Sequence, residues 1–215
     1  MPQPIVIARH LVWTAYGWWL PNDPRGSMSQ SIASDVIAQL GELHHGRKRF
    51  QPAGHEIRTF YNEAAEKLKY PLLTLNPDAR QEIPIAFAET IAAQKYTCYA
   101  CAIMPDHVHL LIRKHKHEAE QMIAQLQDSS RLRLRNLDFR AMDHPVWGGP
   151  GWKVFLDHPD EVRRTIGYIE ANPRHMRLRY QAWPFVSAYD NWPLHPGHSA
   201  HSPYVSRLKA AGRYP

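Results

Sequence analysis

The stretch Ile103-Met104-Pro105-Asp106-His107-Val108-His109-Leu110-Leu111-Ile112 reads as a tight turn followed by a strand. The apolar run Tyr96 to Ile103 precedes it, so the two runs joined by Met104-Pro105-Asp106 form an antiparallel pair. Strand alternation puts His107 and His109 on one face with their Cα atoms roughly 6 to 7 Å apart, and turns Val108 toward the core. Two neutral imidazoles on one face can chelate a divalent cation. In a chain with 14 His, the same triplet also suits two ordinary surface histidines.

On the N-terminal side of this pair, Ile85, Ala88, Ile91 and Ala92 recur at helical spacing, and Pro84 suits a first helical position. Ile5 to Leu20 is apolar, β-branched and aromatic and predicts a strand, ended by the turn residues Pro21 to Gly26. On the C-terminal side, Glu118 to Leu137 is the longest helical pattern, with Met122, Leu126 and Ser129 or Ser130 inward. Trp152 to Leu156 is a short strand after the Gly148 to Gly151 break, and Glu161 to Ala171 is helical, announced by Asp157-His158-Pro159-Asp160. Strand, helix, strand, strand, helix, strand, helix gives an α+β fold, a mainly antiparallel sheet with helices packed on one face. Residues 27–83 are more polar, with weak helical patterns at Ser34 to Glu42 and Tyr61 to Leu68, and read as an insertion. The expected organisation is one domain over 1–190 and a loosely ordered, Pro-, His- and basic-rich tail over 191–215.

At 215 residues and 44% hydrophobic, the chain supports one sizeable core, and its formal charge of +6 favours a polyanionic partner. Cys98 and Cys101 are the only cysteines, which excludes a disulfide framework. On a regular strand they face opposite ways and read as buried structural thiols. No apolar run reaches the ~18 to 20 residues of a membrane span. The N-terminus lacks the pattern of a signal peptide, so a cytoplasmic and, in a bacterium, chromosome-associated protein is expected.

Tyr168 and Asn172 are four apart on the last predicted helix, an advance of ~400° that puts both on one face. Asn172 precedes Pro173, which predicts that the helix ends there and frees a polar side chain. Spacing alone fits a core tyrosine and a helix-terminating asparagine equally well. Basic residues gather on the same elements: Arg131 and Arg135 share a face, as do Arg174 and Arg177 if the helix continues, and Arg163 and Arg164 precede Tyr168. They suit phosphate contacts as well as solvated helix faces.

Met104-Pro105-Asp106-His107-Val108-His109-Leu110-Leu111-Ile112 and Gly167-Tyr168-Ile169-Glu170-Ala171-Asn172-Pro173-Arg174 together resemble the two signatures of the single-tyrosine HUH transposases. The nearer likeness is to the REP-associated tyrosine transposases, relatives of the insertion-sequence-200-like transposases. His10-Leu11-Val12-Trp13-Thr14 and Trp183 to Tyr189 agree with it, while 27–83 lies outside it. The resemblance implies a ferredoxin-like sheet of HUH endonuclease type, with His107, His109 and a polar third ligand at Asn172 holding Mg2+ or Mn2+. It makes Tyr168 the nucleophile and Asp106 a supporting residue. It further implies cleavage and rejoining of single-stranded DNA near hairpins or palindromic repeats through a 5′-phosphotyrosine, by a monomer or homodimer. Rejoining needs no ATP because the covalent bond conserves the phosphodiester's energy, and the chain has no Gly-x-x-x-x-Gly-Lys-Ser/Thr loop. Other readings remain: an inactive, domesticated hairpin-binding regulator, a replication initiator or relaxase of the wider HUH group, and an unrelated metalloenzyme in which Tyr168 lies far from the histidines.

Overall fold

Two strands rich in β-branched and aromatic residues, β1 (Ala8–Thr14) and its antiparallel partner over His107–Arg113, form the centre of the sheet. The computed structural model describes residues 5–46, 48–192 and 203–212. In chain order its elements are β1, α1 (Asp35–Ala38), α2 (Gly54–Lys67), α3 (Pro77–Gln94), β2 (Cys98–Ile103), β3 (His107–Arg113), α4 (Ala119–Asn136), β4 (Trp152–Leu156), α5 (Pro159–His175) and α6 (Pro203–Ala210). The sheet order is β2-β3-β1-β4 and every neighbouring pair is antiparallel. With α3 joining β1 to β2 and α4 joining β3 to β4, this is the β-α-β-β-α-β, ferredoxin-like arrangement. The α+β class expected from the order of periodic segments is the observed one.

Period-2 alternation sorts the sheet into two packed faces. Leu11, Trp13, Val108, Leu110 and Ile112 join Ile83 and Phe87 of α3 and Met122 and Leu126 of α4 in the larger core cluster. Ala8, Ala100, Ala102 and Leu111 instead meet Val162 and Ile169 of α5. The expected layer of helices on one face is therefore α3 and α4, and α5 covers the other. His10, His107 and His109 belong to the α5 side, so the histidine pair is enclosed rather than on an open surface.

Three local expectations are corrected. α3 begins at Pro77, not Pro84: the Asn76 side chain accepts from the Ala79 amide at 2.8 Å, Pro77 takes the first helical position, and Pro84 lies buried inside the helix. α5 does not stop at Asn172 but runs through Pro173 to His175, with Met176 as its cap. Arg177 thus falls beyond the helix at φ 56° and shares no helical face with Arg174. In β2, a register shift between Cys98 and Ala100 adds a residue, so Cys98 opposes Ile112 and Cys101 opposes Leu110. Both thiols therefore enter the same core cluster instead of opposite faces, and both are free and buried.

The expected helical patterns of the inserted segment become α1 and α2, and a third cluster forms from Leu40, Phe60, Tyr61 and Ala64 against Trp18 and Leu20. A polar clasp fastens it to the turn after β1. The fully buried Asp23 carboxylate receives two bonds from the Arg25 side chain, at 3.0 and 2.7 Å, and one from the Tyr61 hydroxyl. The Trp19 amide also donates to that hydroxyl at 2.8 Å. Of the tail expected to be loosely ordered, 193–202 and 213–215 lie outside the described residues, and α6 buries Val205 against the α5-side cluster. Tyr61→Phe removes one of the two donors to a buried carboxylate oxygen and leaves the Trp19 amide without its acceptor, and is expected to cost about 1–3 kcal/mol. Chemical denaturation measures this, and a loss below about 0.5 kcal/mol would show that the clasp does not hold the segment.

Candidate functional site

The site grows from the pairing of β1 with β3, in which Thr14 opposes His107 and Val12 opposes His109. His107 and His109 project toward α5 with ring centroids 4.8 Å apart and nearly perpendicular planes. Each uses one ring nitrogen for support. His107 Nδ1 lies 2.6 Å from an Asp106 carboxylate oxygen, and His109 Nδ1 lies 3.0 Å from His10 Nε2. The His10 and His109 rings stack with centroids 5.1 Å apart.

These contacts determine what the opposite nitrogens can do. A carboxylate accepts, so His107 donates from Nδ1, and in the neutral ring its Nε2 carries the lone pair. His109 is 5% exposed, and its Nε2 is buried with no hydrogen-bond partner. Burial, then the neighbouring His107 and His10, lowers the His109 pKa well below the ordinary histidine range. Burial alone lowers His10 to about 4. With both rings neutral, one of the facing nitrogens donates and the other accepts. If His109 donated from Nε2, a buried donor would be orphaned; donation from Nδ1 to His10 leaves Nε2 as a free lone pair instead. Burial pushes the Asp106 carboxyl up, but the His107 hydrogen bond and charge and the Arg25 guanidinium outweigh it and hold Asp106 below its usual value.

α5 brings the tyrosine to this cluster. Val162, Ile169 and Pro173 form its buried stripe, and Glu161, Thr165 and Tyr168 form the adjacent stripe along the edge. The Tyr168 ring lies 5.6 Å from the His109 ring and 6.1 Å from the His10 ring, and the residue is 49% exposed. It stands over the histidines of its own chain. His10, Glu161, Arg164, Thr165 and Tyr168 line an open groove of about 330 Å³. Asn172 is one turn further on, and its side-chain amide donates to the Tyr168 carbonyl at 3.0 Å.

The expected basic residues do not converge. Arg164 alone among them lines the groove beside Tyr168. Arg163 bonds Asp160 and Asn191, Arg131 pairs with Asp128, and Arg135 donates to the His144 carbonyl at 2.6 Å. Arg174 and Arg177 are exposed near the end of α5. Sequence reading assigned no role to His10 or Trp19. His10 holds His109, and Trp19 sets its ring edge-on to His107 at 6.1 Å while the Arg25 guanidinium stacks 3.8 Å above its other side. The period-2 match of His10 to His107 and His109 across β1 and β3 was the available signal, but it depends on a register that sequence does not provide.

Among the described residues, no group of three His, Cys, Asp or Glu side chains could hold a metal ion. A cation on His107 and His109 therefore needs a donor of another kind, such as the Asn172 amide or a phosphate oxygen. The two unengaged Nε2 atoms fit such a use. In the metal-free protein at neutral pH, nitrogen NMR is expected to find His109 protonated at Nδ1 and bare at Nε2. The reverse tautomer would remove the lone pair from the site.

Residues 64–157 match the family described as transposase, IS200 like. That span is less than half of the chain; it holds β2, β3, α4 and β4 with both histidines and stops before Tyr168. It begins inside the segment read as an insertion over 27–83, so the last part of that segment is shared with the family. No curated protein matches the sequence. Among solved structures, a REP-associated tyrosine transposase bound to a REP hairpin is 11% identical, with 100% of this chain and 87% of that one covered and a TM-score of 0.42. A candidate transposase from Deinococcus radiodurans R1 is 11% identical over 79% of this chain and 93% of its own, with a TM-score of 0.37. Scores this low carry no argument for fold or activity. The family likeness rests on sequence: across its central stretch, 64–157, the chain is similar to the IS200-like transposases.

Proposed function

We propose that this protein is a transposase that nicks and rejoins single-stranded DNA through Tyr168, next to hairpins or palindromic repeats. The observation that carries the reading is the packing of the half-exposed Tyr168 ring 5.6 Å from His109 within one chain. A metalloenzyme unrelated to this chemistry would have no reason to bring that tyrosine to the histidines.

The Tyr168 hydroxyl oxygen attacks the phosphorus in line with the 3′ oxygen that departs. One phosphorus–oxygen bond forms and one breaks. The phenol loses its proton, the 3′ oxygen gains one, and the DNA is left as a 5′-phosphotyrosine and a free 3′-hydroxyl. His107 and His109, with Asn172 as the proposed third donor, would hold Mg2+ or Mn2+, which would supply charge neutralisation at the phosphate under attack. Asp106 and His10 engage Nδ1 of the two imidazoles and leave each Nε2 without a hydrogen bond. The Asn172 atom that would serve is Oδ1, which the Nδ2 bond to the Tyr168 carbonyl leaves unused. Arg164, which lines the groove with Tyr168, would pair with a phosphate next to the cleaved one.

Hairpin DNA is the proposed partner, consistent with the chain's formal charge of +6. No helix among the described residues is long and apolar enough to cross a membrane. Since nucleophile and histidines meet within one chain, one copy holds a complete set, and a homodimer is not needed for the chemistry.

Tyr168→Phe is expected to abolish the denaturation-resistant adduct with a labelled single strand in Mn2+, while hairpin binding stays unchanged. An adduct that persists in this variant would sink the assignment, and a wild-type protein that binds hairpins but never forms one would favour the regulatory reading. His10→Ala is expected to weaken Mn2+ binding, read by calorimetry, by roughly 10–100-fold, as loss of an outer-shell partner does. His10→Gln, which retains a hydrogen-bonding group, is expected to lose less; equal affinity in all three proteins would remove His10 from the site.

A further inference from the structure

On the face of the sheet opposite Tyr168, between α4 and the loop before β4, lies a second cavity of about 400 Å³. Tyr70, Arg131, Arg135, Asp143 and Trp147 line it. Its rings are fixed in place. Trp147 donates from Nε1 to the Gln127 carbonyl at 3.1 Å and to Ser130 Oγ at 3.2 Å, and the Tyr70 ring leans on His144 with centroids 4.6 Å apart. Its cations have capacity to spare. Arg135 uses one terminal nitrogen on the His144 carbonyl, and its Nε is buried without a partner. Arg131 is held by an exposed pair with Asp128, the kind of contact that solvent and ligands readily displace.

We propose that this cavity binds an unpaired nucleotide of the DNA strand, its base against Tyr70 and Trp147 and its phosphate on Arg131 and Arg135. The proposal rests on the single-strand DNA reading of the Tyr168 site. A free phosphate fits the lining poorly, because the rings would lie idle. An apolar ligand fits no better, since it would strip water from two guanidiniums. A nucleotide uses both kinds of group, and its base N–H donors suit the exposed Asp143 carboxylate at the rim. The volume falls in the range of small-ligand pockets.

The same strand can reach both places. Thr14 pairs with His107 on one side, and its neighbour Ala15 bridges to Trp147 on the other. Two strand spacings of ~4.8 Å therefore separate the histidine's backbone from the tryptophan's, and a strand joining the two sites also has to pass around the end of the sheet.

The test uses a fluorescein-labelled single strand of mixed sequence and the same oligonucleotide annealed to its complement, with affinity read by anisotropy across a salt series. Tyr70→Ala is expected to weaken single-strand binding about tenfold and leave duplex binding unchanged, with Tyr70→Phe restoring it. Arg131→Gln is expected to weaken single-strand binding and reduce the magnitude of its salt slope by about 0.7, the loss of one phosphate contact. Losses of equal size on both probes, or none on either, overturn the nucleotide cavity. A wild-type protein with no preference for the single strand overturns the DNA reading itself. If wild type and Tyr168→Phe both bind the strand while the Tyr70 and Arg131 variants match them, the cavity alone is refuted.

Discussion

The register of β1 against β3 is the constraint on which the site depends. Val108, Leu110 and Ile112 are all fully buried on the α3–α4 side, so β3 has no freedom to slip. A one-residue shift would send the imidazoles into that core and three aliphatic side chains toward α5. Hydrophobic burial on one face thus fixes polar geometry on the other. The same register brings His10 opposite Leu111 and beside His109, which is how β1 comes to support a site whose main residues lie on β3.

Within that frame, each histidine is held by a partner of different character. Asp106, on the turn before β3, is a carboxylate kept ionised by its neighbours, whereas His10 is a neutral ring in a dry setting. The orientation of the two rings on β3 follows from these partners and from the edge-to-face contact of His107 with His109. α5 then adds Tyr168, whose ring reaches His109 and His10. Because its buried stripe and its edge stripe are adjacent on one helix, packing and placement of Tyr168 come from the same element.

Much of this was legible in the residues. The turn at Met104-Pro105-Asp106, the alternation of β3 and the bounds of β4 follow from local chemistry, and the joint presence of the two motifs singled out His107, His109 and Tyr168. What was not legible depended on tertiary context. Pro84 resembles a helix start only until Asn76-Pro77 supplies a better one, and Pro173 resembles a stop although packing on the sheet carries α5 past it. The two cysteines seemed to diverge because a bulge cannot be seen in a strand pattern. His10 was invisible as a site residue because its role exists only across a strand pair. The arginines were grouped by shared helical faces, which describe proximity alone; the fold puts Arg164 in the Tyr168 groove and Arg131 and Arg135 in the second cavity.

The buried stripe of α5 also bears on how two copies could share chemistry. Lifting the helix to serve another chain's histidines would expose Val162 and Ile169 and half-buried Ile166. At roughly 1.5–3 kcal/mol for each such side chain, one-sided donation costs on the order of 5–9 kcal/mol. Reciprocal exchange, in which each copy's helix fills the groove vacated by the other's, restores that burial. Any trans-acting form would therefore be a helix-swapped dimer, close in energy to two separate chains but slow to form and slow to part.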